Sequence, residues 1–426
     1  MFHSSRLAKS AAQISPGALL LGSGLLLLAS GLGHAGLAPA GNSDRPNPGA
    51  TGANLLSVYQ KGEIPLVPDP AFGRGPDWKE YLGDKRLGLV VAADGSVFVT
   101  QMLQNACLKF DASGRFVARF GKPGQGPGDL NHPTRLDILD GRSLVVMEGS
   151  ESRRISLFDL DGKFIKLLQA ENPVFGLTAL SGRTIAYMTY RLQPKGPFLL
   201  KKSRVILKDL ETGTEKTVCG GEIFRPEDQV FSALVPNPPK IDYGAGDLIV
   251  DRTREGELLV GFTSSPTIVI FDAAGRRLRT IDLKLPAVPF TGEILSGFQE
   301  SVYRELVEGA GASITPEKKA GFRKRADAAG GSIRFLPYLK DIQVDAEGNI
   351  LIFERDPRFV DCPDLPIRVF GPDGAFRTAV RIIKGDFELE ADRRWRNMVF
   401  TASGLYAAVT IKNSPDQEMR LVRVAF

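Results

Sequence analysis

The feature that most constrains this chain is a β-hairpin that returns along its length. An apolar strand ends in Phe-Asp, a tight turn containing Gly follows, and a second strand leaves the turn. The clearest copy runs from Leu108 through Phe110, Asp111 and Gly114 to Phe116 and Val117. Further copies centre on Phe158-Asp159 with Gly162, Phe271-Asp272 with Gly275, and Phe370 with Asp373-Gly374; a looser one is Asp209 with Gly213. The Asp side chain can accept a hydrogen bond from backbone two residues on, and Gly tolerates the positive φ of the turn. A second hairpin precedes each of these, with turn glycines Gly95, Gly141, Gly182, Gly256, Gly348 and Gly404. Period-two alternation of apolar residues flanks them, as expected of half-buried strands.

Two hairpins make a four-stranded antiparallel unit, the blade of a β-propeller. The inner hairpin occurs six times and the outer one five times. The fold class expected is therefore all-β, a six-bladed β-propeller over residues 54–426. Its last blade runs out of chain after a third strand. The orphan apolar segment Asn54 to Tyr59 is expected to be the strand that completes this blade and closes the ring, removing an exposed edge. Between the fourth and fifth blades the repeat is interrupted over residues 290–332. Thr291 can cap a helix carrying Ile294, Phe298, Val302 and Leu306, and Thr315-Pro316 opens a second helix. A helical hairpin whose stripe packs on a blade is expected there; a lid or docking arm is the functional alternative.

Residues 1–40 read as a signal peptide. Arg6 and Lys9 form a basic start, Ala18 to Ala29 an apolar core broken by glycines, and Ala38-Pro39-Ala40 a small-residue cleavage site. Gly33 to Ala35 and Gly36 to Ala38 are alternative cleavage sites, and an uncleaved N-terminal membrane anchor is the alternative to cleavage. The apolar core is short of the ~20 residues that a span needs. The expectation is an extracytoplasmic protein, periplasmic or secreted, with a flexible mature N-terminus over 41–53 and no stable membrane span. Losing Arg6 and Lys9 lowers the formal charge from +5 to +3, a mixed surface that does not point to nucleic acid.

His132 is the one histidine left after residue 40, since His3 and His34 precede it. That excludes multi-histidine zinc sites, and any Ser-His-Asp triad would have to use His132. Cys107, Cys219 and Cys362 are too scattered for a disulfide framework. The inner strands would line a central channel, so polar residues near their ends are the candidates: Arg135, Asp137, Glu148, Asp341 and Glu354, with His132 at a strand entrance. Asp137 and Asp341 each follow a proline by four residues, and their oxygens would suit Ca²⁺ or Mg²⁺. Counted back from the turn glycines they are not equivalent, lying four and seven residues away. Solvated strand-end charges are the alternative. Asp356, Asp361 and Asp364 cluster in one loop without EF-hand spacing. Trp78, Trp395, Tyr187, Tyr190 and Tyr338 are candidates for a binding platform.

Arg119-Phe120-Gly121, the run Gly124 to Leu130 and His132-Pro133 resemble the inter-blade signature of bacterial six-bladed propellers of NHL-repeat type. The resemblance is sharpest in the first two blades; later ones lack the Gly-Pro-Gly run, and Asp129-Leu130 stands where Glu-Phe is usual. It implies an exported protein, often of unassigned activity, although some related propellers are lactonases or lyases with a metal at the channel centre. The Gly124 to Gly128 run lacks the βαβ context of a dinucleotide loop and reads as an inter-blade turn. The expected function is a non-catalytic binding or scaffolding propeller for a protein or small ligand, without a cofactor. A metal-dependent hydrolase or lyase using channel carboxylates, with Ca²⁺ as the ion, is the alternative.

Overall fold

The computed structural model describes residues 54–73, 81–83, 87–149, 152–195, 198–226, 248–263, 265–310, 314–328, 335, 338–354, 363–389, 396–414 and 418–426. The proposed signal peptide and residues 41–53 lie outside this set, as do Cys362, Trp78, Trp395, Asp356 and Asp361. Within it the chain folds into six sheets, antiparallel but for one added strand. Blade one holds β2 (Leu89–Val91), β3 (Val97–Gln101), β4 (Ala106–Phe110) and β5 (Phe116–Phe120). Blade two holds β6 (Pro133–Leu139), β7 (Ser143–Glu148), β8 (Arg154–Asp159) and β9 (Phe164–Gln169). Blade three holds β10 (Val174–Ala179) and three long strands, β11 (Thr184–Lys195), β12 (Phe198–Asp209) and β13 (Glu215–Pro226). Blade four holds β14 (Leu248–Arg252), β15 (Leu258–Phe262), β16 (Thr267–Phe271) and β17 (Arg277–Asp282). Blade five holds β18 (Asp341–Val344), β19 (Ile350–Phe353), β20 (Asp364–Phe370) and β21 (Phe376–Ile383). In blade six, β24 (Gly404–Ile411) pairs with β25 (Met419–Ala425) on one side and with β22 (Phe387–Glu388) and β23 (Met398–Thr401) on the other.

The outer turns form as their residues dictate. Asp111 Oδ1 accepts from the N–H groups of Ser113 and Arg115 at 2.9 and 3.0 Å, and Gly114 follows at φ 77°. Asp159 and Asp272 repeat the arrangement. The core is divided among six apolar clusters, each lying between neighbouring blades. The cluster of Leu89, Val97, Tyr406 and Leu421 joins blade six to blade one, so burial of apolar surface closes the ring.

The N-terminal segment departs from expectation. Leu55–Tyr59 is a helix, α1, not the fourth strand of blade six. Asn54 caps it, its side chain accepting from the Ser57 N–H at 3.1 Å. Leu55, Val58 and Tyr59 then share one buried face, and Tyr59 donates to Asp345 at 2.9 Å. The strand that follows, β1 (Glu63–Pro65), pairs in parallel with β21 and widens blade five to five strands. α1 and β1 pack between blades five and six. Asp69 then pairs with Arg423 of β25, and Phe72 enters the cluster between blades six and one.

Between β17 and β18 lie two helices, α2 (Gly292–Gly309) and α3 (Pro316–Ala328). Against the expectation from the sequence, the apolar stripe of α2 does not pack on a blade among the described residues. Phe298, Val302 and Leu306 pack instead on Phe322 and Ala326 of α3, with Phe290, as a cluster of their own. Among the described residues no helix is long and apolar enough to cross a membrane.

Candidate functional site

The inner strands bring three aspartates and three arginines to the axis: Arg135 and Asp137 from β6, Asp251 and Arg252 from β14, Asp341 from β18, and Arg396 just before β23. Asp137, Asp251 and Asp341 are buried, and Arg135 is buried with them. Asp137 Oδ1 accepts from its neighbour's N–H (Ile138, 2.8 Å), and Oδ2 accepts from Ala179 N–H of blade three at 2.8 Å and Thr178 Oγ at 3.2 Å. Arg252 lies 3.3 Å from Asp137 Oδ1 and donates to the carbonyls of Ile138 and Ala179 at 3.0 and 2.8 Å. Asp251 is built alike. Its Oδ1 accepts from Arg252 N–H at 2.8 Å, its Oδ2 from Val344 N–H of blade five at 2.9 Å, and Arg396 approaches to 2.5 Å.

Asp137 and Asp251 are thus structural counterparts, each joining its blade to the next by one backbone bond and holding one guanidinium. Asp341, which follows a proline by four residues as Asp137 does, is built differently. Asp341 accepts from Gln343 Nε2 at 3.3 Å, with Arg135 and Arg396 as the nearby cations. The three carboxyls therefore differ. Burial opposes charge on Asp137, but Arg252, Arg396 and the two backbone N–H groups outweigh it and hold the carboxyl below the usual range. Burial dominates at Asp341 and pushes it up to about 6 against Arg135 and Arg396. Arg135, which donates to Val250 O at 3.4 Å, is pushed down to about 10 by burial and by Arg396, against the three aspartates.

Arg135, Asp137 and Asp341 therefore share one site, and Glu148, Glu354 and His132 do not belong to it. Glu148 is buried between blades. It holds Arg154 at 3.1 Å and accepts from Ser156 Oγ at 3.0 Å and Asn131 N–H at 3.1 Å. Burial pushes Glu148 up, against Arg154 and Ser156. Arg154 donates onward to the Gln125 side chain at 2.8 Å and to the Gln125 and Asp129 carbonyls at 2.9 and 3.3 Å, fastening the Gly124 to Asp129 turn. Glu354 pairs with Arg368 at 2.7 Å. His132 sits in an exposed loop at φ 51°, its N–H donating to Asn105 at 2.7 Å and its Nδ1 2.8 Å from Asn131 Oδ1. Asp364 pairs with Arg381 at 3.2 Å. The tyrosines do not form a common platform: Tyr187 donates to Glu215 in blade three, Tyr190 meets Phe175 edge-on, and Tyr338 packs between blades four and five.

For a divalent ion, Asp137 and Asp341 would have to offer free oxygens at about 2.3–2.6 Å from a common point. Both oxygens of Asp137 already accept from protein donors, and a guanidinium lies beside it. Among the described residues no three His, Cys, Asp or Glu side chains gather as a metal set. The residues present do not fit a Ca²⁺ centre.

A family model described as a 6-bladed beta-propeller (DUF5128) matches residues 84–215. No curated protein sequence matches the chain. Among solved structures, a member of the DUF4221 family from Bacteroides vulgatus is 12% identical, covering 84% of this chain and 96% of that one at a TM-score of 0.44. A virginiamycin B lyase from Staphylococcus aureus is also 12% identical, with 79% and 94% covered and a TM-score of 0.35. The calcium-binding protein regucalcin from Agrobacterium tumefaciens shares 12% identity, with 85% and 95% covered and a TM-score of 0.35. These likenesses carry no chemistry to this chain. The architecture is that of a six-bladed β-propeller.

Proposed function

We propose that this chain is an exported, non-catalytic binding or scaffolding propeller of NHL-repeat type, acting through its loop faces on a protein or small ligand. One observation carries the reading: the axial carboxylates are spent on the protein's own arginines and backbone. Asp137 and Asp251 each lock one blade to the next, so the position where a catalytic propeller would keep open ligands serves here as structure. Export rests on the basic start, short apolar core and small-residue site of residues 1–40. In this reading α1, β1 and residues 66–72 form the clasp that closes the ring. The helical segment 290–332, with its own apolar core, is a docking arm.

The test is metal analysis of purified mature protein together with its N-terminal sequence. Metal-free protein starting at residue 41, or at 36 or 39 if an alternative site is cut, is the expected result. Stoichiometric Ca²⁺ that is lost in Asp137→Asn would overturn the non-catalytic reading in favour of a metal-dependent hydrolase or lyase. An intact residue 1 on the mature protein would overturn cleavage and favour the anchor.

A further inference from the structure

Blade three carries a polar cleft on the face turned toward blade two. Its register places Thr189 opposite Arg204, Tyr187 opposite Ile206, and Ile206 opposite Thr217. Alternation along each strand puts these side chains on one face. Glu171 and Asn172, from the linker between the blades, close the side. The cleft is open to solvent and has a volume of about 160 Å³, room for several waters.

The charges of the cleft do not cancel. Arg191 is matched by Glu171 at 3.0 Å, and Lys208 by Glu215 at 2.6 Å. The Arg204 side chain makes no ion pair or hydrogen bond among the described residues, which leaves one positive charge over. Gly220, opposite Arg204, adds no side chain beside it. Thr189 is buried at 4% exposure and Thr217 is exposed, and among the described residues neither hydroxyl has a hydrogen-bond partner. Ile206 and the ring of Tyr187 supply the apolar part of its lining, and the Tyr187 hydroxyl donates at 2.7 Å to Glu215, which lines the cleft too.

We propose that this cleft binds a small monocarboxylate of two to four carbons. A guanidinium fork matches a carboxylate with two parallel hydrogen bonds. The threonine hydroxyls can donate to the same oxygens, the net charge calls for one negative charge, and the floor takes a methyl or methylene. The cleft is separate from the axial network and stands whether or not that network holds a metal.

Titration of the mature protein with lactate and acetate at constant ionic strength, followed by calorimetry and by NMR shifts, tests it. Saturable lactate binding is expected, weakened at least about tenfold in Arg204→Met, the loss of roughly 1.4 kcal/mol, and partly retained in Arg204→Lys. Arg204 is exposed and Arg204→Met should keep the parent melting curve. Asp341→Asn, in the axial network, should bind lactate as the parent does. Unchanged binding in Arg204→Met, no saturation with either acid, or equal displacement by chloride and phosphate would each overturn the proposal.

Discussion

Replacing Asp341 by Asn should stabilise the protein at neutral pH and leave it unchanged in acid. Burial raises this carboxyl from 3.8 to about 6, so the folded state holds the proton more tightly than the unfolded chain does. A group raised on folding contributes stability that is complete below its unfolded value and is lost as pH rises through its folded value. The window therefore runs from about 4 to about 6. Two pKa units at 1.36 kcal/mol each give on the order of 3 kcal/mol. At 4% exposure solvent does little to screen this cost. Asn imitates the protonated acid and can still accept from Gln343. Urea unfolding of both proteins at about pH 4 and about pH 7.5 separates the cases. Equal stability in acid and an advantage of about 3 kcal/mol for Asp341→Asn at neutral pH are expected. If Asp341→Asn is instead the less stable protein at neutral pH, attraction to Arg135 and Arg396 outweighs burial and the argument fails.

Asp137 carries the opposite sign, because its folded carboxyl is lowered: its contribution is present above the usual carboxylate range and fades as pH falls. Asp137→Asn should cost about 3–5 kcal/mol at neutral pH, the scale for breaking a buried pair, with the deficit shrinking in acid melts. Arg154→Met leaves Glu148 buried without its cation and should cost a similar ~3–5 kcal/mol; limited proteolysis should then cut within the Gly124 to Asp129 turn. Tyr59→Ala should lose about 3–5 kcal/mol of core packing and Tyr59→Phe about 1 kcal/mol for the bond to Asp345. Equal melting of Tyr59→Ala and the parent would show that α1 is not part of the folded core.

What was legible in the sequence was local. Asp111, Asp159 and Asp272 act on backbone two to four residues away, and their glycines need a φ that the turn itself imposes. The blades could therefore be read from short windows. The N-terminal segment misled because Leu55, Leu56, Val58 and Tyr59 suit either period. The overlooked signal was Asn54, a capping residue placed just before a helical face of Leu55, Val58 and Tyr59. The axial site was legible in part: Asp137 and Asp341 were found, whereas Asp251, Arg252 and Arg396 were missed. Asp137 precedes its turn glycine by four residues and Asp251 by five, because the two inner turns differ in length. What makes them counterparts is a bond to the next blade, which is a property of the ring. Arg396 lies outside any strand and gave no periodic signal.

The axial network also explains why recognition should sit away from the axis. β14 is its hub. Arg135 reaches Val250 from blade two, Arg396 reaches Asp251 from blade six, and Arg252 reaches back to the carbonyls of Ile138 and Ala179. A ligand that engages these axial charges must part at least one of these pairs. At about 3–5 kcal/mol for a buried pair, that forfeits a hundredfold or more in affinity at about 1.4 kcal/mol per factor of ten. No such penalty falls on Arg204, whose charge is unmatched among the described residues. The ring spends its central charges on holding blades together, and in the binding role proposed above the chemistry left for a partner lies in the clefts between blades and on the loop faces.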